Sequence, residues 1–173
     1  MEAMDVLKNR RSIRSFRPEQ VEEETLTHVL EIGTYGATGK NTQSPYIVAV
    51  QNPEQVALLN RLNGAVLGNP DGQPYYGAPT IVLVFGNPKV TTPFEDAISV
   101  GTTILNAAYA AGLGSCWINR SRQMFETPEG KELLRQWGIP EDCFGAISIA
   151  LGYAAGPHPA PRPRKENYFR IIK

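Results

Sequence analysis

No charged side chain occurs between Asp96 and Arg120, and this run constrains the fold more than any other feature of the 173-residue chain. Its first part, EDAISVGTTILNAAYAA (95–111), is small, apolar and hydroxylic on every side. A helix without a charged face is expected to be buried all round, in a core or at a subunit interface. It is too short and too polar to cross a membrane, which takes about 20 apolar residues. Its Ala, Gly and Thr content suits close packing against other helices. Gly112 and Gly114 stop it, and SCWIN (115–119) follows as a short strand.

Other elements must cover such a helix. Residues 2–9 can form a short opening helix. RSIRSFRP then reads as extended, because Pro18 biases Arg17 away from helix. From Glu22 onward, Leu26, Val29, Leu30 and Ile32 recur with helical spacing until Gly33 and Gly36 break it. YIVAV (46–50) is a strand, and 53–62 is a helix carrying Val56, Leu58, Leu59 and Leu62. Residues 63–79 are dense in turn formers and read as a long surface loop. TIVLVFG (80–86) is an unbroken apolar run, hence a buried strand. A helix is predicted over 128–137, with Thr127 as N-cap, Pro128 in the first position and Gly138 just past the end. FGAISIALGY (144–153) is another buried strand. The closing segment GPHPAPRPRKENYFRIIK is held extended by its alternating prolines. Helices and strands mix without strict βαβ alternation, so an α+β sandwich is expected. No repeat or linker divides the chain, and a single domain over 1–173 is expected.

Lys+Arg and Asp+Glu both number 17. This balance argues against broad electrostatic binding to nucleic acid or an anionic membrane, so any basic site must be local. Cys116 and Cys143 form no CxxC pattern, and the N-terminus has no apolar signal core, so a cytoplasmic location is expected. His28 and His158 lie far apart, with no HExxH and no zinc set. GTYGATGKN (33–41) fails as a phosphate loop, with Thr34 at its first glycine position and Asn41 at its Ser/Thr position. GxGxxG and GxSxG are both absent. Hydrolase and ATPase readings find no support.

Local charge is concentrated in NRRSIRSF (9–16). In an extended segment, Arg10, Ser12 and Arg14 share one side while Arg11, Ile13 and Ser15 take the other. The first set spans about 13 Å at roughly 3.3 Å per residue, enough to join a phosphate to a second anionic point on one ligand. Arginine suits phosphate because its planar fork makes paired, charge-assisted bonds. An exposed basic loop paired with surface carboxylates is the plain alternative. The tail offers a second basic group, Arg162 and Arg164 between prolines, with Lys165 next. The plain alternative there is a solvated tail, weakened by the apolar end from Tyr168 to Ile172. In ATGKNTQSPY (37–46), Asn41, Gln43 and Ser44 offer donors and acceptors for a heterocycle edge; taken alone, an ordinary polar loop is the simpler reading. The glycines of GLGSCWIN (112–119) permit close approach to a flat ligand, or simply a helix stop. Cys116 is expected to be a small buried side chain. Asp96 and Asp142 read most simply as helix-start or turn residues.

In this order and spacing, RRSIRSF, NTQSPYIVAV, YYGAPTIVLVF, DAISVGTTILNAAYAAGLGSCWINR and PRPRKENYF resemble the nitroreductase family of flavoproteins over nearly the whole chain. The resemblance implies an α-β-α sandwich, a mostly antiparallel central sheet flanked by helices, in an intertwined homodimer with two FMN sites at its interface. Arg10, Ser12, Arg162 and Arg164 would hold the FMN phosphate, with Arg11 adding to that side. Lys165 is an alternative to one of the tail arginines. Arg14 would approach the N1/O2 edge of the ring, where a cation favours the anionic reduced flavin. Asn41, Gln43 and Ser44 match the flavin-contacting loop, partly serving the partner's site. The backbone at Gly114 and Ser115 would pass beside the ring, and helix 95–111 would be the central dimer helix. The implied reaction is ping-pong: NAD(P)H delivers hydride to flavin N5 and leaves, and a nitroaromatic, quinone or similar small acceptor enters. No protein acid or base is then required. Two departures border the pocket: Gln43-Ser44-Pro45-Tyr46 replaces Gln-Pro-Trp, and Asn119-Arg120 replaces Glu-Gly of larger relatives. Loop 63–76, with Tyr75 and Tyr76, stands where a substrate lid would. Reductive dehalogenation, flavin fragmentation and a low-turnover flavin sensor or store are the alternatives on the same fold. A small anion-binding module is the reading without flavin.

Overall fold

The computed structural model describes residues 2–173. Four strands, β1 (Tyr46–Val50), β2 (Thr80–Gly86), β3 (Gly114–Ile118) and β4 (Phe144–Gly152), form one sheet in the order β1-β2-β4-β3. Every neighbouring pair is antiparallel. The two inner strands are the two longest apolar runs of the chain, as central strands buried on both faces require.

Alternation along these strands builds two cores. Ile81, Leu83 and Phe85 of β2 point to one face and Val82 and Val84 to the other, where they meet Ile147, Ile149 and Leu151 of β4. The second face is covered by α4 (Pro93–Ala110), which contributes Ala97, Val100, Ile104 and Ala108. Over α4 lies α2 (Glu23–Gly33), with Leu26 and Val29. Just beyond α2 the chain passes so close to α4 that a Cβ on Gly36 would stand 2.7 Å from the Val100 Cα. The first face is covered by α3 (Pro53–Val66), the short α5 (Ser121–Met124) and α6 (Pro128–Gln136). Phe85 and Phe125 meet edge to face at 4.8 Å here. The architecture is therefore the expected three-layer α+β sandwich.

Several details differ from the sequence expectation. Helix α3 runs four residues further, to Val66, so the loop after it is shorter. Tyr75 in that loop is fully buried in the first core and cannot serve as a surface lid, whereas Tyr76 is partly exposed. The turn α5 and a 3-10 turn over Gly39–Asn41 were not expected. Helix α4 begins at Pro93 and is not buried all round within one chain. Phe94 is 50% exposed, Thr102 is exposed and Ile98 is half-buried. These three residues fall at i, i+4 and i+8, one outward stripe without charge.

Helix α1 (Ala3–Asn9) leads into the arginine segment. Residues 12–17 then bridge the two strand ends on that side of the sheet. Ile13 N–H donates to the Ser115 carbonyl (3.0 Å), beside a parallel bridge between Ser12 and Ser115. Arg17 N–H donates to Tyr153 O (2.9 Å) and Ala155 N–H to Ser15 O (3.0 Å). The chain leaving β4 thus starts alongside the N-terminal segment.

Candidate functional site

That juxtaposition carries the tail back to the N-terminal arginines. Arg10, Arg11, Ser12 and Arg14 line one cleft with Pro159, Ala160, Arg162 and Arg164, about 630 Å³ in volume. Two segments some 150 residues apart in sequence share it. Among the described residues, none of these five arginines pairs with a carboxylate; the ion pairs lie elsewhere. Burial, followed by the neighbouring charge of Arg11, holds the Arg10 guanidinium below its ordinary value. A polyanion entering the cleft would relieve this repulsion.

Arg11 departs from the alternation argument, because it lines the same cleft as Arg10. Its side chain doubles back, with Nη1 donating to the Arg10 carbonyl and Nη2 to the Lys8 carbonyl (2.6 Å), at the end of α1. Such carbonyls at a helix end have no intrahelical donor, and a cation satisfies them. Arg164 similarly donates to the Arg162 carbonyl through Nε (3.2 Å) and Nη2 (2.8 Å). Lys165 stands apart from the cleft lining, 5.0 Å from the Tyr168 ring centroid.

Gly114 and Ser115 are buried where the arginine segment crosses β3. A Cβ on Gly114 would meet Ile13 at 3.0 Å, so glycine there lets the two backbones close up. The Ser115 hydroxyl is buried without a hydrogen-bond partner. Cys116 is buried, as its type suggests.

Asn41, Gln43 and Ser44 do not line the cleft of their own chain. Their loop is nevertheless tightly specified. Lys40, Asn41 and Gln43 all have positive φ (53°, 55° and 49°), which side-chain-bearing residues adopt only under constraint. The constraint is Asp96, which stands in the first turn of α4 and acts as a hub beyond the helix start. Its Oδ1 accepts from Gly39 N–H (2.8 Å) and Thr92 Oγ1 (2.9 Å), and its Oδ2 from Ser44 Oγ (3.1 Å) and Thr42 Oγ1 (3.3 Å). Burial pushes the Asp96 carboxyl up, but these four donors outweigh it and hold the group below its ordinary value of 3.8. One sequence signal was available: a last acid entering an otherwise uncharged buried helix needs donors, and TQS supplies hydroxyls.

A depressed carboxyl stabilises the fold above its unfolded pKa and loses that contribution as pH falls through the folded value. Replacing Asp96 by Ala is expected to cost about 2–3 kcal/mol near neutral pH, read from urea unfolding. The difference from wild type should stay constant down to about pH 4 and shrink below it. A difference that grows on acidification would contradict the sign assigned to Asp96.

A second buried network lies across the sheet edge. Asn63 Nδ2 donates to the Asn119 carbonyl (2.9 Å) and to Tyr75 Oη (3.4 Å). Tyr75 donates to Ser148 Oγ (3.1 Å), which donates to the Ile118 carbonyl (3.0 Å). Burial pushes the Tyr75 phenol up to about 12, so it stays protonated. Arg120 joins through its Nε, which donates to Asn63 Oδ1 (3.0 Å).

The three-layer fold and its arginine cleft define a class, the nitroreductase fold. The nitroreductase family model matches residues 7–75, which include the N-terminal arginines and the 41–44 loop. A crystal structure of an FMN-bound nitroreductase from Bacteroides fragilis superposes with a TM-score of 0.90 at 29% identity, covering 100% of both chains. An FMN-bound nitroreductase from Desulfitobacterium hafniense has a TM-score of 0.89 at 23% identity, again over 100% of both chains, a likeness of fold. A relative from Archaeoglobus fulgidus, named for NADH dehydrogenase and NAD(P)H nitroreductase activity, is 25% identical over 173 residues, 96% of this chain and 90% of the relative. The chain is thus similar to nitroreductases over nearly its whole length. No helix among the described residues is long and apolar enough to cross a membrane.

Proposed function

We propose that this chain is an FMN-dependent NAD(P)H oxidoreductase, acting as a single-domain (1–173) homodimer in the cytoplasm. The observation that carries the reading is the convergence of Arg10, Arg14, Arg162 and Arg164 on one cleft without a carboxylate partner. A cleft of unpaired guanidinium groups fits a phosphate, which several forked donors bind at once.

In this reading Arg10, Ser12, Arg162 and Arg164 hold the phosphate. Arg11 supports the site mainly by closing the end of α1. Arg14 lies toward Tyr76, 6.0 Å from its ring centroid, and reaches the ring end of the ligand. The backbone of Gly114 and Ser115 borders the ring. Asn41, Gln43 and Ser44, fixed by Asp96, serve the partner's site across the dimer. Bound FMN supplies two-electron transfer between a nicotinamide and an acceptor. NAD(P)H leaves before the small acceptor, a nitroaromatic, quinone or similar molecule, enters. The protein contributes binding, orientation and positive charge at the ring edge, and no side-chain acid or base is assigned.

Apolar exposure supports the dimer. The Phe94, Ile98 and Thr102 stripe lacks cover, and Tyr168, Phe169, Ile171 and Ile172 are between 67% and 89% exposed. A single chain gains nothing from leaving such groups in water. Anaerobic mixing with NADH and NADPH tests the activity. FMN-loaded protein is expected to lose its visible absorbance with one of them and regain it when acceptor is added. Protein that binds FMN but bleaches with neither is a binder and not this enzyme.

A further inference from the structure

A second recess, about 390 Å³, lies beside Tyr76, Trp117, Asn119 and Arg120. Among the described residues, none lines both it and the arginine cleft. The two adjoin at Arg14, which lines the cleft and faces the ring of Tyr76. Tyr76 and Trp117 are each 41% exposed, so two aromatic side chains stand open to a ligand.

Arg120 is set into this recess with care. Its φ is +75°, a left-handed conformation that suits glycine and strains an arginine. Strain of this kind persists where the surroundings over-determine it. Here the Nε bond to Asn63 does so, and Asn63 is itself fully buried and held by the Asn119 carbonyl. Among the described residues no carboxylate pairs with Arg120, and only its Nε donates a side-chain hydrogen bond. The terminal nitrogens of an anchored guanidinium are thus left for something else. An arginine fork with two free terminal amines matches the planar oxygen pair of a carboxylate, and flat aromatic walls match an aromatic ring.

We infer that this recess binds the electron acceptor, and that Arg120 selects aromatic acceptors carrying a carboxylate. The inference rests on the flavin reading above and adds a substrate class to it. Arg120 acts on binding, so its effect belongs in KM more than in kcat.

The test compares 4-nitrobenzoate with its neutral counterpart 4-nitrobenzamide on FMN-loaded protein. Wild type is expected to favour the carboxylate at least tenfold in kcat/KM, mainly through KM. Arg120→Gln should bring the ratio to within about twofold of one, Arg120→Gly should do the same without backbone strain, and Arg120→Lys should restore part of it. Flavin absorbance reports that each variant is folded. Trp117 fluorescence supplies a second readout, with Trp117→Phe as its control: 4-nitrobenzoate should quench wild type at lower concentration than it quenches Arg120→Gln. A wild-type ratio near one, or a ratio unchanged in both Arg120→Gln and Arg120→Gly, overturns the inference. Quenching that FMN abolishes also overturns it, because the recess then belongs to the cofactor. Failure of wild type to take up FMN defeats the flavin reading alone. The fluorescence titration then still decides the recess, tighter 4-nitrobenzoate binding by wild type supporting it and equal binding overturning it.

Discussion

Exchanging Arg10 and Arg164 together for alanine is expected to weaken FMN binding by two to four orders of magnitude. Each charge-assisted contact to a phosphate contributes about 1.5–3 kcal/mol, and each 1.4 kcal/mol is about a factor of ten in affinity. The two residues come from opposite ends of the chain but line one cleft, so their effects should couple when compared with the single variants. Arg17→Ala is the matching control. Arg17 is exposed, pairs with Glu19 (3.4 Å) and lies 5.0 Å from the Tyr153 ring centroid, outside the cleft. It should leave FMN affinity unchanged. Fluorescence titration with FMN reads the four variants against wild type. A double variant with wild-type affinity would show that the cleft binds something else.

Placing a charge on the outward stripe of α4 is expected to be nearly as damaging. Ile98→Glu puts a carboxylate between Phe94 and Thr102, one turn from Glu95 and in a run that has no cation before Arg120 to pair with it. Burying an unpaired charge costs several kcal/mol, enough to dissociate a dimer. Because the opposite face of α4 packs on the sheet, the subunit itself should remain folded. Sedimentation should show a monomer. FMN should be lost with the dimer, since the 41–44 loop does not line the cleft of its own chain. A monomer that keeps FMN at wild-type affinity would contradict the shared site.

Much of the fold was legible because apolar runs and helix caps are local signals. The unbroken TIVLVFG and FGAISIALG runs marked the inner strands, and Thr127, Pro128 and Gly138 framed α6. What escaped depends on contacts between distant residues. Tyr75 lies in a segment dense in turn formers, yet burial with Asn63, Ser148 and Met124 makes it core. Alternation put Ile13 on the side opposite Arg10 and Arg14, where the structure packs it against Gly114, but it failed for Arg11, because a long side chain can fold back onto carbonyls of its own segment. Asp96 and its donors Gly39, Thr42 and Ser44 are more than 50 residues apart, beyond any local spacing rule. The left-handed backbone at Arg120 is not announced by the residue itself, since arginine does not mark such a position.

The site divides in the same way. The arginine clusters were visible one by one, and their meeting was suggested only by resemblance. The fold supplies the cause: residues 12–17 join the ends of β3 and β4, so the segment leaving β4 emerges beside them. If this cleft is built for a phosphate, the phosphate should decide binding. Titrating flavin-free protein with FMN and with riboflavin, which differ only in that group, measures this directly. The expected result is saturable FMN binding with riboflavin at least a hundredfold weaker, a gap that closes in the Arg10 and Arg164 double variant. Equal affinity for the two flavins in the wild-type protein would contradict the assignment.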